Sequence, residues 1–206
     1  LGSGNHFLEL QVVDEVYETK MIQPRYLEPR IAAAQMEPNG RLTVWANAQA
    51  PLPVRQEVAK TLGRPLNNVR VISAGLGGGF GGKGSGITSG AAIEPICALL
   101  AMKAKRPVSI VLDKAEETIS TTIRSGAKMY IKTGVKKDGT FVARHCEVYL
   151  NGGAYANSGP SVTEKAGYRA HGPYRIPHVL TTAYSVYTNT VPAGRFCGFC
   201  GAQGGV

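Results

Sequence analysis

Six glycines fall within eight positions between Gly75 and Gly82, with Phe80 set among them and Lys83 directly after. Without side chains in the way, such a run exposes successive backbone N–H groups, and a helix starting behind it adds partial positive charge. The segment can therefore cradle a phosphate or another anion. Gly77, Gly82 and Lys83 nearly spell a nucleotide-phosphate loop, but Gly84 stands where a magnesium-binding Ser or Thr is required. The dinucleotide spacing at Gly77, Gly79 and Gly82 is met as any dense glycine run meets it, by chance. A flexible turn is the plain alternative. Phe80 weighs against it, because one aromatic among glycines either anchors the loop in a core or lines a pocket, and both uses need a defined conformation.

Cys197 and Cys200 are spaced as Cys-x-x-Cys, which suits a redox dithiol or half a zinc site, with two small buried residues as the alternative. No second Cys or Cys/His pair has zinc spacing. The four histidines, His6, His145, His171 and His178, form no His-x-x-x-His or His-Glu-x-x-His pattern, so no side-chain metal site is expected.

These residues need elements to position them. IAAAQME and RLTVWANAQA, from Ile31 to Ala50, read as a hairpin turning at Pro38-Asn39-Gly40. Val54, Val58 and Leu62 lie at helical spacing over 51–62, with Gly63 where a left-handed C-terminal residue belongs. Asn68 to Ala74 is a short strand that delivers the glycine loop. Thr88 to Lys105 reads as a buried helix, with Pro95 either kinking it or marking its first turn. PVSIVLD is a strand, 127–155 is a long hairpin turning at Lys136-Lys137-Asp138-Gly139, and Thr181 to Tyr187 is a last strand before a second glycine-containing loop at 194–205. The fold class is α+β, with mixed sheets, antiparallel hairpins and packed helices.

Composition narrows the function. The 206 residues are 43% apolar and 18% charged, enough to bury a substantial core. The longest apolar run, Ile96 to Met102, is far short of the ~20 residues of a membrane helix, so no membrane partner is expected. A net charge of +9 invites a nucleic-acid reading, yet the cations are spread from Lys20 to Arg195, with no basic helix or aromatic-basic signature. Nucleic acid is not expected, and an acidic partner or anionic cofactor fits the charge better. Four cysteines are too few for a secreted disulfide framework, which points to a reducing, cytoplasmic setting. The chain opens Leu-Gly-Ser-Gly-Asn-His, without Met, and reads as a fragment or a processed chain.

Gly77-Gly78-Gly79-Phe80-Gly81-Gly82-Lys83 resembles the molybdenum hydroxylase family (xanthine dehydrogenase, aldehyde oxidase and relatives), in the large subunit that binds molybdopterin. Other segments resemble that family in the same order: Tyr26-Leu27-Glu28-Pro29, RLTVWANAQAP, TLGRP, VSIVLDKAEE, KKDGT, Asn151-Gly152-Gly153-Ala154-Tyr155, Tyr174-Arg175-Ile176-Pro177 and Gly198-Phe199-Cys200-Gly201-Ala202-Gln203. The likeness covers residues 18–206 and implies the first half of a molybdopterin-binding domain. It further implies a molybdenum–molybdopterin cofactor and hydroxylation of an aldehyde or N-heterocycle with water as oxygen source. Electrons would leave through iron–sulfur clusters and FAD on partner subunits or domains, and the remaining molybdopterin domain would lie beyond residue 206. An incomplete, non-catalytic remnant is the alternative.

Carried over position by position, the resemblance places Gly78, Gly79, Phe80 and Gly81, with Cys197, Gly198 and Gln203, at the cofactor, and Phe199 and Phe196 at the substrate. Gln49 corresponds to a glutamine whose amide approaches a molybdenum oxygen, with Gln23 a weaker candidate. Lys165 stands where purine-hydroxylating members have an arginine; a surface lysine is its alternative. Two departures bear on the substrate. Gly84 replaces the Glu of purine enzymes, and Phe196-Cys197-Gly198-Phe199-Cys200 lacks the arginine of Phe-Arg-Gly-Phe-Gly. Residues 1 to about 15 separately resemble the metal-binding segment of RtcB-type RNA ligases, through Asn5 and His6, and this resemblance makes an RNA ligase-type fragment a second alternative function. Residues 1–17 are accordingly expected to be an extension, and 18–206 a partial molybdopterin-binding domain.

Overall fold

The computed structural model describes residues 10–73, 75–84, 92–196 and 198. In chain order the elements are β1 (Leu10–Thr19), β2 (Ile31–Met36), β3 (Leu42–Ala46), α1 (Pro51–Thr61), β4 (Val69–Ser73), α2 (Ile93–Ala104), β5 (Val108–Val111), α3 (Lys114–Ser120), β6 (Ile123–Arg124), β7 (Ala127–Lys136), β8 (Phe141–Gly153), α4 (Gly159–Arg169), β9 (His178–Tyr187) and β10 (Ala193–Gly194).

Two four-stranded mixed sheets carry the fold, in the orders β4-β3-β2-β5 and β9-β8-β7-β1. The two have the same plan. An antiparallel hairpin (β2–β3 or β7–β8) is followed by a helix (α1 or α4) and a strand parallel to the hairpin's second strand. A fourth strand pairs antiparallel with the first. A short parallel pair, β6 and β10, stands apart.

Alternation on β2 and β3 turns Ala32, Ala34, Leu42, Val44 and Ala46 inward against Val54 and Val58 of α1 and Ile93, Cys97, Ala98 and Ala101 of α2. Small residues on both β2 and α2 let the helix lie close to the sheet. Leu42, Val44, Val54, Val58 and Val69 are fully buried, each contributing roughly 1.5–3 kcal/mol. The second core sets Met129, Ile131, Cys146, Val148 and Leu150 against Val162, Ala166 and Ala170 on and just after α4.

Both hairpins, α1 and β5 lie where their patterns place them, and Pro95 sits in the first turn of α2 rather than at a kink. The expected start of that helix, 88–91, lies outside the described residues. Two helices escape the pattern reading. In α3 a capping box closes the N-terminus: Asp113 Oδ1 accepts from Glu116 N–H at 2.7 Å, and Glu116 Oε2 accepts from Asp113 N–H at 2.9 Å. α4 starts with Gly159 and Pro160, the proline fitting its first turn, and tertiary packing on β8 and β9 overrides the poor propensity of Gly159 and Gly167. The boundary expected between residues 17 and 18 falls inside β1, whose ten residues pair without a break along β7.

At the end of β8, Asn151 Oδ1 accepts from Gly153 N–H and from the Thr188 and Thr190 hydroxyls. A Cβ on Gly153 would lie 2.2 Å from Val191 O, so only glycine allows this approach. The Asn-Gly-Gly stretch thus fixes the path into β10 and Phe196. Among the described residues no helix is long and apolar enough to cross a membrane.

Candidate functional site

Residues 75–84, the glycine loop after β4, are held from two sides. Gln49, between β3 and α1, accepts through Oε1 from Gly81 N–H at 2.9 Å and from Lys83 N–H at 3.2 Å, and its backbone N–H donates to Lys83 O at 2.7 Å. Two N–H donors converging on one atom identify it as the amide oxygen. Nε2 is therefore left to donate to a ligand. A Cβ on Gly79 would sit 2.6 Å from that oxygen, so a side chain there would displace the amide.

On the inner side Lys83 is buried rather than turned to the cleft. Its Nζ donates to Glu28 O at 2.6 Å and Glu28 Oε2 at 2.8 Å, and lies 4.5 Å from the centroid of the Tyr26 ring. Next to it the Arg30 guanidinium donates to Gly82 O. Arg30 is itself held by α3, its backbone N–H donating to Glu117 Oε2 at 2.7 Å while the Tyr26 hydroxyl donates to Oε1. The Lys83 hydrogen bond holds the Glu28 carboxyl below its ordinary range, and burial lowers the Lys83 ammonium against the pull of Glu28. Burial, then the Glu117 hydrogen bond, pushes the Tyr26 phenol up to about 12. At neutral pH the phenol therefore remains a donor.

Above the loop lies a cleft of about 320 Å³ lined by Gln49, Phe80, Gly81, Gly84, Arg195, Phe196 and Gly198. Phe80 has φ +51° and is half exposed, a left-handed conformation costing roughly 1–2 kcal/mol for a bulky residue. Strain of this kind persists only where the surroundings enforce it. Arg124 braces the other ring, its Cζ 4.3 Å from the centroid of Phe196. Arg169 of α4 donates to Gly198 O at 2.9 Å, tying the second loop down. Arg195 is the charged residue among the described lining, which contains no carboxylate.

The structure thus brings together Gln49, Phe80, Gly81, Phe196 and Gly198 from the sequence-derived set. Gly78 and Gly79 form the loop's inner part, with Tyr26 and Gln49 respectively against them. Lys165 is half-buried on α4 and does not line the cleft. Cys197, Phe199 and Gln203 lie outside the described residues, as do Cys200, Asn5 and His6. Gln23 is engaged elsewhere, donating to Glu117 O and Thr121 Oγ1 beside α3. The expected row of N–H donors is narrower than its glycines suggest. Gly81 N–H goes to Gln49 and Gly82 N–H to Gly79 O, leaving those of Gly78, Gly79 and Phe80 without partners among the described residues. Sequence reasoning missed Arg30, Glu117 and Arg195, and the anchoring role of Lys83. Arg195 was visible two positions before Cys197, but the others meet across dozens of residues with no periodic signal.

Residues 5–206 match the family described as the molybdopterin cofactor-binding domain. The chain belongs to that family. It is 38% identical over 188 residues to the large molybdopterin subunit of nicotinate dehydrogenase from Eubacterium barkeri, covering 91% of this chain and 43% of that protein. The solved quinoline 2-oxidoreductase from Pseudomonas putida 86 superposes with a TM-score of 0.82 at 27% identity, over 90% of this chain and 24% of that one. The aldehyde oxidoreductase from Desulfovibrio gigas shares the fold, with a TM-score of 0.86 at 24% identity, over 95% and 21% of the two chains. The molybdopterin domain chain therefore spans less than half the length of these relatives. Its cleft suits their cofactor class: glycines allow close approach, two phenylalanines flank it, and its described lining holds the Gln49 amide and the Arg195 guanidinium but no carboxylate side chain.

Proposed function

We propose that this chain is the part of a molybdenum hydroxylase large subunit that holds the molybdopterin and one wall of the substrate site. The observation that carries this reading is the Gln49 amide, whose oxygen is committed to two loop N–H groups so that its N–H2 is reserved for a ligand oxygen in the Phe80–Phe196 cleft. A bound molybdenum–molybdopterin supplies hydroxylation of an electrophilic carbon with water as oxygen source, together with acceptance of the electron pair. The protein's own groups bind and orient. Gly79 and Phe80 N–H groups and Gln49 Nε2 offer hydrogen bonds to the anionic cofactor from fixed positions, which need no reorganisation as charge develops. In this reading Gly78, Gly81, Gly198, Cys197 and Gln203 complete the cofactor's surroundings, and Phe196 and Phe199 enclose a planar substrate.

Arg195 favours an N-heterocycle bearing a carboxylate over a neutral aldehyde, and the similarity to a nicotinate dehydrogenase subunit supports the same choice. Iron–sulfur and FAD subunits and the remaining molybdopterin domain are the proposed partners, in the cytoplasm. Co-expression with those segments, followed by metal and pterin assay of the purified assembly, tests the proposal. Stoichiometric molybdenum and pterin is the expected result, and an assembled complex containing neither would refute it.

A further inference from the structure

We infer that Glu28 is a positioning residue for this site, acting through Lys83 on the Gln49 amide; the inference rests on reading the cleft as the cofactor site. Glu28 holds both ends of the glycine loop with a single carboxylate oxygen. Oε2 accepts from Gly77 N–H at 2.8 Å where the loop begins and from Lys83 Nζ at 2.8 Å where it ends. The Glu28 backbone adds to the same grip, its N–H donating to Gly77 O at 3.4 Å and its carbonyl accepting from Lys83 Nζ at 2.6 Å. A Cβ on Gly77 would lie 2.6 Å from Glu28 Cβ, so the two segments are in close contact.

Lys83 converts this grip into orientation. Its ammonium has three proton donors and three acceptors in reach, namely Glu28 O, Glu28 Oε2 and the face of Tyr26, so the 1%-exposed side chain has one satisfied position. The backbone of that same residue fixes Gln49 twice, N–H to Oε1 and O to the Gln49 N–H. Removing the Glu28 charge leaves a buried ammonium short of its counter-ion, and relief requires Lys83 to move. Movement of Lys83 releases one of the two donors that hold the Gln49 amide. Glu28 does not line the cleft, so it reaches Gln49 through Lys83.

The test uses the 206-residue chain without cofactor, following amide hydrogen exchange and the Gln49 side-chain N–H2 resonances by NMR. In Glu28→Gln and Lys83→Met, exchange at Gly81 and at position 83 should accelerate at least tenfold and the Gln49 resonances should shift, while β3 and β8 amides keep their protection. Lys83→Arg should restore most of the wild-type pattern, and Glu18→Gln, at the exposed pair with Lys128, should change nothing in the loop. An unchanged Gly81 and Gln49, or acceleration spread evenly over the chain, would overturn the inference. Should the single variants fail to fold, Glu28→Leu/Lys83→Met removes both charges together; failure of that variant as well would assign the pair to the fold alone and overturn it too. Because no cofactor enters this readout, an assembled enzyme without molybdenum would refute the proposed function and leave the exchange result standing.

Discussion

Gln49 is exposed, yet its amide has one orientation because two backbone donors converge on Oε1. Gln49→Glu would keep both acceptor contacts while placing a carboxylate where an anionic cofactor must bind. Molybdenum content of the assembled protein should fall at least tenfold with Gly81 protection retained, separating binding from loop structure. Arg195→Met should weaken binding of pyridine-3-carboxylate about tenfold, the ~1.4 kcal/mol of one charge-assisted hydrogen bond, and leave pyridine-3-carboxamide unchanged in titration calorimetry. Glu94, buried in the first turn of α2, tests a different effect. Burial raises its carboxyl above the ordinary range, with Arg30 offsetting part of the rise. A raised folded-state value means its stability contribution is complete below the unfolded glutamate range and lost as pH rises through the folded value. Glu94→Gln should therefore leave the melting temperature unchanged at pH 4 and raise it at pH 8 by about 2–4 °C, the effect of ~1 kcal/mol in a chain of this size. Thermal melts at the two pH values check it.

At the scale of elements, the hairpins and α1 were legible because alternation, helical spacing and Asn-Gly or Asp-Gly turns are local signals. The capping box of α3 was equally local, in Asp113 and Glu116, but its seven residues are too short for a hydrophobic period. That small helix matters because it carries Glu117 to Tyr26 and Arg30, and so sets the floor of the glycine loop. Asp113→Ala should cost about 1 kcal/mol and lower the melting temperature by about 2–4 °C, with Tyr26 and Arg30 resonances moving together. α4 was illegible for the opposite reason. Its two glycines argue against a helix, and only packing on the apolar face of β8 and β9 stabilises one.

Over the whole molecule, two sheets of identical strand order are built from sequence segments with no visible repeat, one beside each core. β1 completes the second of them as its edge. Relative to removal of residues 1–9, removal of 1–19 also exposes the full edge of β7. The longer truncation should melt lower and self-associate, measured by scanning calorimetry and light scattering. An unchanged melt after the longer truncation would support an N-terminal extension ending at residue 17.

The sequence alone determined the α+β class, the two hairpins and the glycine loop with its single phenylalanine, since each rests on neighbours within a few positions, whereas Gln49 came from the family resemblance and meets the loop only in the folded chain. Tertiary structure decided which side chains hold that loop. Glu28, Arg30, Lys83 and Glu117 come from separate stretches of the chain, and their partners are set by burial, which allows a charge only where counter-charge and hydrogen bonds meet it. It also made Lys83, which no local pattern assigns a role, a buried anchor, because Glu28 and Tyr26 surround its ammonium with acceptors.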